Sequence, residues 1–265
     1  MRSRRSCIPY CSVAVMAKAS QPGLTKTRLC PPLTFEEAAS LNTAFVQDVA
    51  ANLIAAAAET SIAGAMAFGP PKSEGFFRAH LPRDIALYEI WDADFGLCLR
   101  EATSRQFAAG HRAACVLNSD SPTLPIPLLT EMVDVLSRPG DRAVIGPSSD
   151  GGYYLLACKT LHPRLFQDIA WSTEAAFAQT MERATEIGLP VHVLPEWYDV
   201  DDAASLRGLA GELLEGKKFS PVLRFSSAPH TTALLKALCA NANLRERLES
   251  FSGEEAAKPL CEAAA

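Results

Sequence analysis

The feature that most constrains the fold of this chain is the alternation of short apolar runs with longer segments of helical periodicity. An unbroken apolar run such as residues 113–117 is typical of a strand buried on both faces of a parallel sheet. Strands are expected at residues 12–17, 61–68, 85–90, 113–117, 142–145, 153–158 and 190–194. Strands that alternate with helices predict an α/β domain in three layers, with helices on both faces of a mostly parallel sheet.

The helices follow from capping signals and from apolar residues spaced three or four apart. Residues 34–37 have the spacing of a capping box, and a helix follows with Phe45 and Leu53 on its apolar face. Further helices are expected at residues 95–109, 125–136, 172–187, 203–214, 231–240 and 244–250. We therefore divide the chain into an N-terminal tail (1–11), one α/β domain (12–215) and a C-terminal linker with a helical tail (216–265).

The N-terminal segment allows two interpretations. Three arginines within residues 2–5 precede an apolar stretch that ends at Ala17-Lys18-Ala19, as in a short secretory signal. Alternatively, the stretch is a buried strand, which we favour because Pro9 interrupts it and a loop rich in cations follows it directly. We therefore expect a cytoplasmic protein, and no stretch reaches the ~18 uncharged apolar residues that span a membrane.

The net charge and the cysteine spacing argue against two classes of protein, nucleic-acid binders and zinc-site proteins. The net charge is −5 over 265 residues, and no basic run follows Arg5, so we expect no nucleic-acid partner. The eight cysteines show no zinc spacing, and we interpret them as reduced thiols, several of them buried. A small-molecule substrate is the remaining expectation.

The loop after the first strand has the composition of a phosphate-binding loop. Ligands of open parallel sheets bind beyond the carboxyl ends of the strands, so cations in this loop point to a phosphate group. It is not a Walker A loop, because its glycine and lysine are not adjacent. The alternative is a solvated basic loop. The candidate phosphate-binding residues here are Lys18, Gly23, Lys26, Thr27 and Arg28.

Two acidic positions are candidate ligands of Mg²⁺ or Mn²⁺. Asp120 follows the strand at 113–117, next to Ser119, a further candidate phosphate contact. Asp201 is the second candidate ligand. The alternative for each is a helix cap: Asp120 or Ser121 for the helix at 125, and Asp201 or Asp202 for the helix at 203.

A glycine pair and an aromatic turn complete the candidate site. The Asp150-Gly151-Gly152-Tyr153 segment permits a close approach to a ligand, although Asp-Gly is also a strong hairpin signal, and both can hold. Trp171 and Thr173 begin a predicted helix, where the tryptophan is either a core or lid residue or a contact. We assign Gly151, Gly152, Tyr153, Trp171 and Thr173 to substrate binding, and Asp120 and Asp150 to catalysis.

These segments, in this order, resemble a family of bacterial transferases with the GT-A fold, known from genome context as selenodomain-associated transferases. The resemblance extends from about residue 13 to 209 and rests on residues 17–18, 22–23, 26–29, 118–125, 146–154, 171–173 and 199–201. The family is more distantly similar to molybdenum-cofactor and phospholactate guanylyltransferases, in which the aspartate matched by Asp120 binds the catalytic metal. The chain departs from the family pattern at residues 96–100, which lack two acids, and at residues 202–205.

The resemblance implies a GT-A nucleotide-diphospho-sugar transferase fold and a nucleotide or nucleotide sugar as ligand. The leading expectation is a glycosyltransferase-like enzyme that uses a divalent metal and a small-molecule acceptor. One alternative is a nucleotidyltransferase that transfers a nucleoside monophosphate to a phosphorylated molecule. The other is a non-catalytic nucleotide-binding protein, suggested by the acids missing from residues 96–100.

Overall fold

The computed structural model describes residues 8–250, which form one sheet with helices on both faces. Within these residues the sheet has seven strands in the order β3-β2-β1-β4-β6-β5-β7, and β6 alone runs antiparallel to its neighbours. The strands are β1 (Cys11–Lys18), β2 (Ile62–Gly69), β3 (Ala86–Glu89), β4 (Ala113–Asn118), β5 (Ala143–Pro147), β6 (Tyr153–Cys158) and β7 (Val191–Val193). The predicted tail at residues 1–11 and the end of the chain fall largely outside the described range.

The helices agree with the periodicity except at two places. They are α1 (Phe35–Glu59), α2 (Glu74–His80), α3 (Phe95–Ala108), α4 (Ile126–Ser137), α5 (Ala176–Glu186), α6 (Ala203–Glu215), α7 (Pro229–Asn241) and α8 (Leu244–Ser250). The short α2 was not predicted. The prediction that α5 begins at residue 172 is wrong, because Ser172 has φ 62°, a left-handed conformation incompatible with a helix interior.

Strand β1 is an inner strand of the sheet, which confirms the strand interpretation of residues 12–17. It pairs in parallel with β2 on one side and β4 on the other. Val13 and Val15 belong to the core under α1, α4, α6 and α7, whereas Ala14 belongs to the core under α3 and α5. The alternation puts successive side chains into opposite layers, as a strand requires. None of the helices within residues 8–250 is long and apolar enough to cross a membrane.

The C-terminal helices pack against α1. The buried carboxylate of Asp48 accepts hydrogen bonds from the backbone N–H groups of His230 and Thr231 at 3.0 and 2.8 Å, at the start of α7. Arg247 on α8 makes a bidentate pair with Glu37, which also closes the capping box with Thr34. The predicted linker, residues 216–227, contains no helix or strand, whereas α7 and α8 share the domain's own core.

Candidate functional site

A cleft of about 760 Å³ opens at the carboxyl ends of the parallel strands. Its walls come from the loops after β1, β3 and β4, from the β5–β6 hairpin and from residues 199–201. The lining includes most of the predicted site residues: Lys18, Lys26, Thr27, Arg28, Ser119, Asp120, Asp150, Gly152, Tyr153, Trp171, Thr173 and Asp201. Gly23 and Gly151 are not part of the lining.

Lys26 is the central charge of the cleft. Its ammonium lies 2.9 Å from a carboxylate oxygen of Asp120 and 2.9 Å from one of Asp201, and it donates a hydrogen bond of 2.7 Å to the carbonyl of Val200. The side chain is 6% exposed. Burial alone would lower the pKa of Lys26, but the two carboxylates outweigh it and hold the pKa above its usual value. The loop after β1 therefore places a fixed positive charge between two acids.

Asp120 is held at the end of β4 by contacts on both sides. Its backbone carbonyl accepts a hydrogen bond from Val200 N–H at 2.9 Å, and the Ser119 hydroxyl donates to its carboxylate at 2.9 Å. The Ser121 hydroxyl donates to the carbonyl of Tyr198. Neither residue caps α4, since Pro125 occupies the N-cap position without a side-chain bond. The carboxylate of Asp120 thus faces the cleft.

The structure separates the roles of two consecutive aspartates. Asp202 is the N-cap of α6, where its carboxylate accepts a hydrogen bond of 2.8 Å from the Ser205 N–H. Asp201 pairs instead with Lys26 and Arg28. Burial raises the pKa of Asp201, but these cations more than offset it and leave the pKa below its usual value. The capping alternative therefore applies to Asp202, and Asp201 is free to act in the site.

Asp199 is a site residue that the sequence interpretation missed. Oxygens of Asp150, Asp199 and Asp201 lie within 4.8 Å of one another, close enough for one cation. Burial, and then the negative charges of Asp150, Asp201 and Asp120, raise the pKa of Asp199 to about 7. The sequence signal that could have identified Asp199 is its spacing from Asp201, because residues i and i+2 of an extended segment point to the same face. Val200 between them is fully buried.

The Asp150 segment is both a hairpin tip and part of the cleft wall. Ser148 N–H donates to the Gly152 carbonyl at 3.1 Å, and Gly152 N–H donates to the Asp150 carboxylate at 2.9 Å. Gly151 has φ 86°, and a Cβ there would lie 2.4 Å from the carbonyl oxygen of Glu174. Gly151 thus serves close packing against Glu174, while Asp150 and Gly152 face the cleft.

Aromatic side chains form the other side of the cleft. Trp171 makes edge-on contacts with Phe95 and Tyr153, at ring-centroid distances of 5.7 and 6.3 Å. Thr173, in contrast, donates to the Ala170 carbonyl at 2.7 Å within the turn before α5. Trp91, after β3, also lines the cleft and was not predicted as a site residue.

Residues 96–100, where the chain departs from the resembled family pattern, lie in the first turns of α3. Gly96 is buried, and a Cβ there would lie 2.3 Å from the carbonyl oxygen of Phe166. Asp94 caps the helix by accepting a hydrogen bond of 2.7 Å from the Gly96 N–H, and Asp92 lines the cleft. Acidic groups are therefore present at this edge, but one of them is engaged as a cap.

The layered sheet and the cleft at its carboxyl edge define the nucleotide-diphospho-sugar transferase fold. A protein from Desulfovibrio desulfuricans G20, described as a candidate nucleotide-diphospho-sugar transferase, is 28% identical and superposes with a TM-score of 0.75. The match covers 90% of this chain and 98% of that one. Residues 52–173 match the model of a family described as an uncharacterized protein conserved in bacteria, DUF2064.

Two further solved structures share the fold at low identity. One is a CMP:2-keto-3-deoxy-manno-octonic acid synthetase complexed with CTP, 12% identical, with a TM-score of 0.51 over 78% of this chain and 99% of that one. The other is a cytidylyltransferase from Leptospira borgpetersenii, 9% identical, with a TM-score of 0.50 over 89% and 96%. No curated protein matches the chain.

Proposed function

We propose that the protein is a transferase that binds a nucleotide-diphospho-sugar together with a divalent cation and transfers the sugar to a small acceptor. The observation that carries the proposal is the charge arrangement at one edge of the sheet. Lys26 and Arg28 face the carboxylates of Asp120 and Asp201, with Asp150 and Asp199 beside them. Cations can neutralise phosphates, and clustered carboxylates suit Mg²⁺ or Mn²⁺.

The donor set fits such a cation. All the candidate ligand atoms are carboxylate oxygens, which Mg²⁺ and Mn²⁺ prefer. Asp201 contacts Lys26 together with Asp120, and it also belongs to the group of three acids with Asp150 and Asp199. We therefore propose Asp201 as the main ligand of the cation, with Asp120 and Asp199 as the further ligands. A bound cation would neutralise charge that develops on the departing diphosphate.

The chain's own residues supply the remaining chemistry. Lys26 and Arg28 add positive charge to the diphosphate, and Ser119 offers a hydroxyl next to Asp120. The bond between the sugar carbon and the phosphate oxygen breaks, a bond from the acceptor oxygen to that carbon forms, and the acceptor's proton passes to Asp150 and then to solvent. Asp150 suits this role because it is exposed at the hairpin tip, on the β5 side of Asp120.

Nucleotidyl transfer is the second candidate, since the same fold occurs in cytidylyltransferases. Gly23, the one glycine of the loop after β1, is not part of the cleft lining, which supports sugar transfer over wrapping of a triphosphate. The net charge of −5 supports a small acceptor rather than nucleic acid. The cytoplasmic location stays a prediction.

The test is product release from a panel of nucleotide sugars and nucleoside triphosphates with Mn²⁺. We expect slow, metal-dependent release of a nucleoside phosphate from one donor class, with water replacing the acceptor. Asp120→Asn should abolish it, whereas Asp202→Asn, a matched control that keeps the helix cap, should not. Pyrophosphate release alone would move the assignment to nucleotidyl transfer, and no release together with no nucleotide binding would refute both transferase assignments.

A further inference from the structure

Trp91 is a large aromatic side chain left open to solvent inside the cleft. It is 52% exposed, although indole rings are usually buried in the cores of domains. It lies two residues after β3, on the cleft wall together with the apolar residues Met16 of β1, Ala67 of β2 and Ile90 just after β3. This part of the cleft thus offers an aromatic ring beside an apolar surface, unlike the charged part around Lys26.

The ring is held in place by the backbone of Gly69 and by the ammonium of Lys18, which lies over the ring. Gly69 lets it pack directly on the backbone of β2, because a Cβ at that position would lie 1.9 Å from a carbon of the indole. The ammonium of Lys18 lies 5.8 Å from the ring centroid, within range of a cation–π interaction. A ring supported in this way is pre-ordered, so a planar ligand stacking on it would lose less entropy on binding.

The position of Trp91 along the sheet identifies which part of a ligand it meets. The order β3-β2-β1-β4 puts the backbone of Trp91 three strands from Asp120, about 14 Å at the usual strand spacing, and the ring packs back over Gly69 of β2. Lys18, at the end of β1, lies between the two. Asp150, which we assign to the acceptor, lies on the opposite side of Asp120, after β5. With the diphosphate at Lys26, the nucleoside is the part that extends toward Trp91.

We propose that the nucleobase of the donor stacks on Trp91. This inference rests on the proposed function, because it requires the diphosphate to occupy the charged part of the cleft. Stacking on an indole is available to every base, since each has a π-face. Lys18 contributes at the same place, with its ammonium near both the ring and the phosphate side of the ligand.

The experiment compares nucleoside diphosphates with inorganic pyrophosphate, which has no base. Affinities are measured by calorimetry with Mn²⁺ for the parent, Trp91→Ala, Trp91→Leu and Leu97→Ala. Trp91→Leu keeps apolar bulk over Gly69 without a π-face. Leu97 is 38% exposed on the same segment and is not part of the cleft lining, which makes Leu97→Ala the matched control.

We expect both Trp91 variants to bind nucleoside diphosphates roughly 5- to 100-fold more weakly than the parent. The Trp91 variants should bind pyrophosphate as tightly as the parent does. Leu97→Ala should bind both nucleoside diphosphates and pyrophosphate as tightly as the parent does. Unchanged nucleoside diphosphate affinity in the Trp91 variants would refute the stacking role while leaving the proposed function intact. An equal loss for pyrophosphate would show instead that the ring supports the phosphate site. If the parent bound neither ligand, the proposed function itself would be wrong, and this inference with it.

Discussion

Replacing Lys26 with Met isolates the charge at the centre of the site. The two residues have similar length, and both are β-unbranched, so the left-handed backbone at position 26 (φ 54°) costs about the same in each. The substitution leaves Asp120 without its ammonium partner and leaves Asp201 with Arg28 alone. The acids near Asp199 then repel one another with less compensation.

The magnitude follows from the geometry. A pair at 2.9 Å has a gross attraction of about 6 kcal/mol at an effective dielectric constant of about 20, most of which offsets the desolvation of the ammonium. Removing one partner of a buried pair costs about 3–5 kcal/mol. Both carboxylate side chains are 28% exposed and Arg28 remains, so we expect the lower end, about 3 kcal/mol. This corresponds to a fall in Tm of roughly 6–12 °C.

Thermal unfolding with and without Mn²⁺ measures the effect. We expect Mn²⁺ to restore much of the lost stability in Lys26→Met, because a cation can take over the role of the ammonium between the carboxylates. Lys217→Met is the control, since the ammonium of Lys217 is exposed and its pair with Glu215 should be worth at most about 1 kcal/mol. Parent-like melting of Lys26→Met, or equal stabilisation of parent and variant by Mn²⁺, would refute the reasoning.

Three further substitutions test single features of the site. Burial and the neighbouring acids raise the pKa of Asp199 to about 7, so the stability provided by its protonated form is lost as pH rises from about 4 through 7. Asp199→Asn should therefore be more stable than the parent at pH 8, by roughly 4 kcal/mol, but not at pH 4. Identical denaturant curves at pH 8 would contradict this. Asp202→Ala should lower the free energy of unfolding by about 1 kcal/mol while Mn²⁺ affinity by calorimetry stays unchanged; a selective loss of that affinity would make Asp202 a ligand. Gly151→Ala should cost about 1–3 kcal/mol in denaturant unfolding, because φ is positive and Glu174 blocks the Cβ, and a parent-like midpoint would show that the hairpin adapts freely.

Apolar runs and capping signals in the sequence predicted most of the strands and helices, because these patterns follow from which residues are buried and where helices begin. The run at residues 113–117 is apolar on both faces, and all five of its residues are buried in the inner strand β4. The capping box at Thr34 likewise starts α1. The two errors in the helix predictions lie where the backbone conformation is unusual or the helix is short. Ser172 adopts a left-handed conformation that periodicity cannot detect, and α2 is a helix of seven residues, too short for a clear period.

The candidate site was predictable as a set of loops but not as a set of contacts. Lys26 and Asp201 are 175 positions apart, and only the sheet order brings them within 2.9 Å. Asp202 and Asp201 are chemically equivalent in the sequence, and the start of α6 alone decides which one is the cap. Trp91 carried no motif signal, because its packing on Gly69 of β2 is a contact between residues far apart in the sequence.

The central claim is that the carboxylates around Lys26 hold a divalent cation against the diphosphate of a nucleotide. The most direct measurement is anomalous diffraction at the manganese edge from crystals grown with Mn²⁺ and a nucleoside diphosphate. We predict a manganese peak within coordination distance of the Asp201 carboxylate and of at least one of Asp120 and Asp199, in contact with the phosphates. A nucleotide whose phosphates bind elsewhere, or a manganese ion bound away from these acids, would contradict the account.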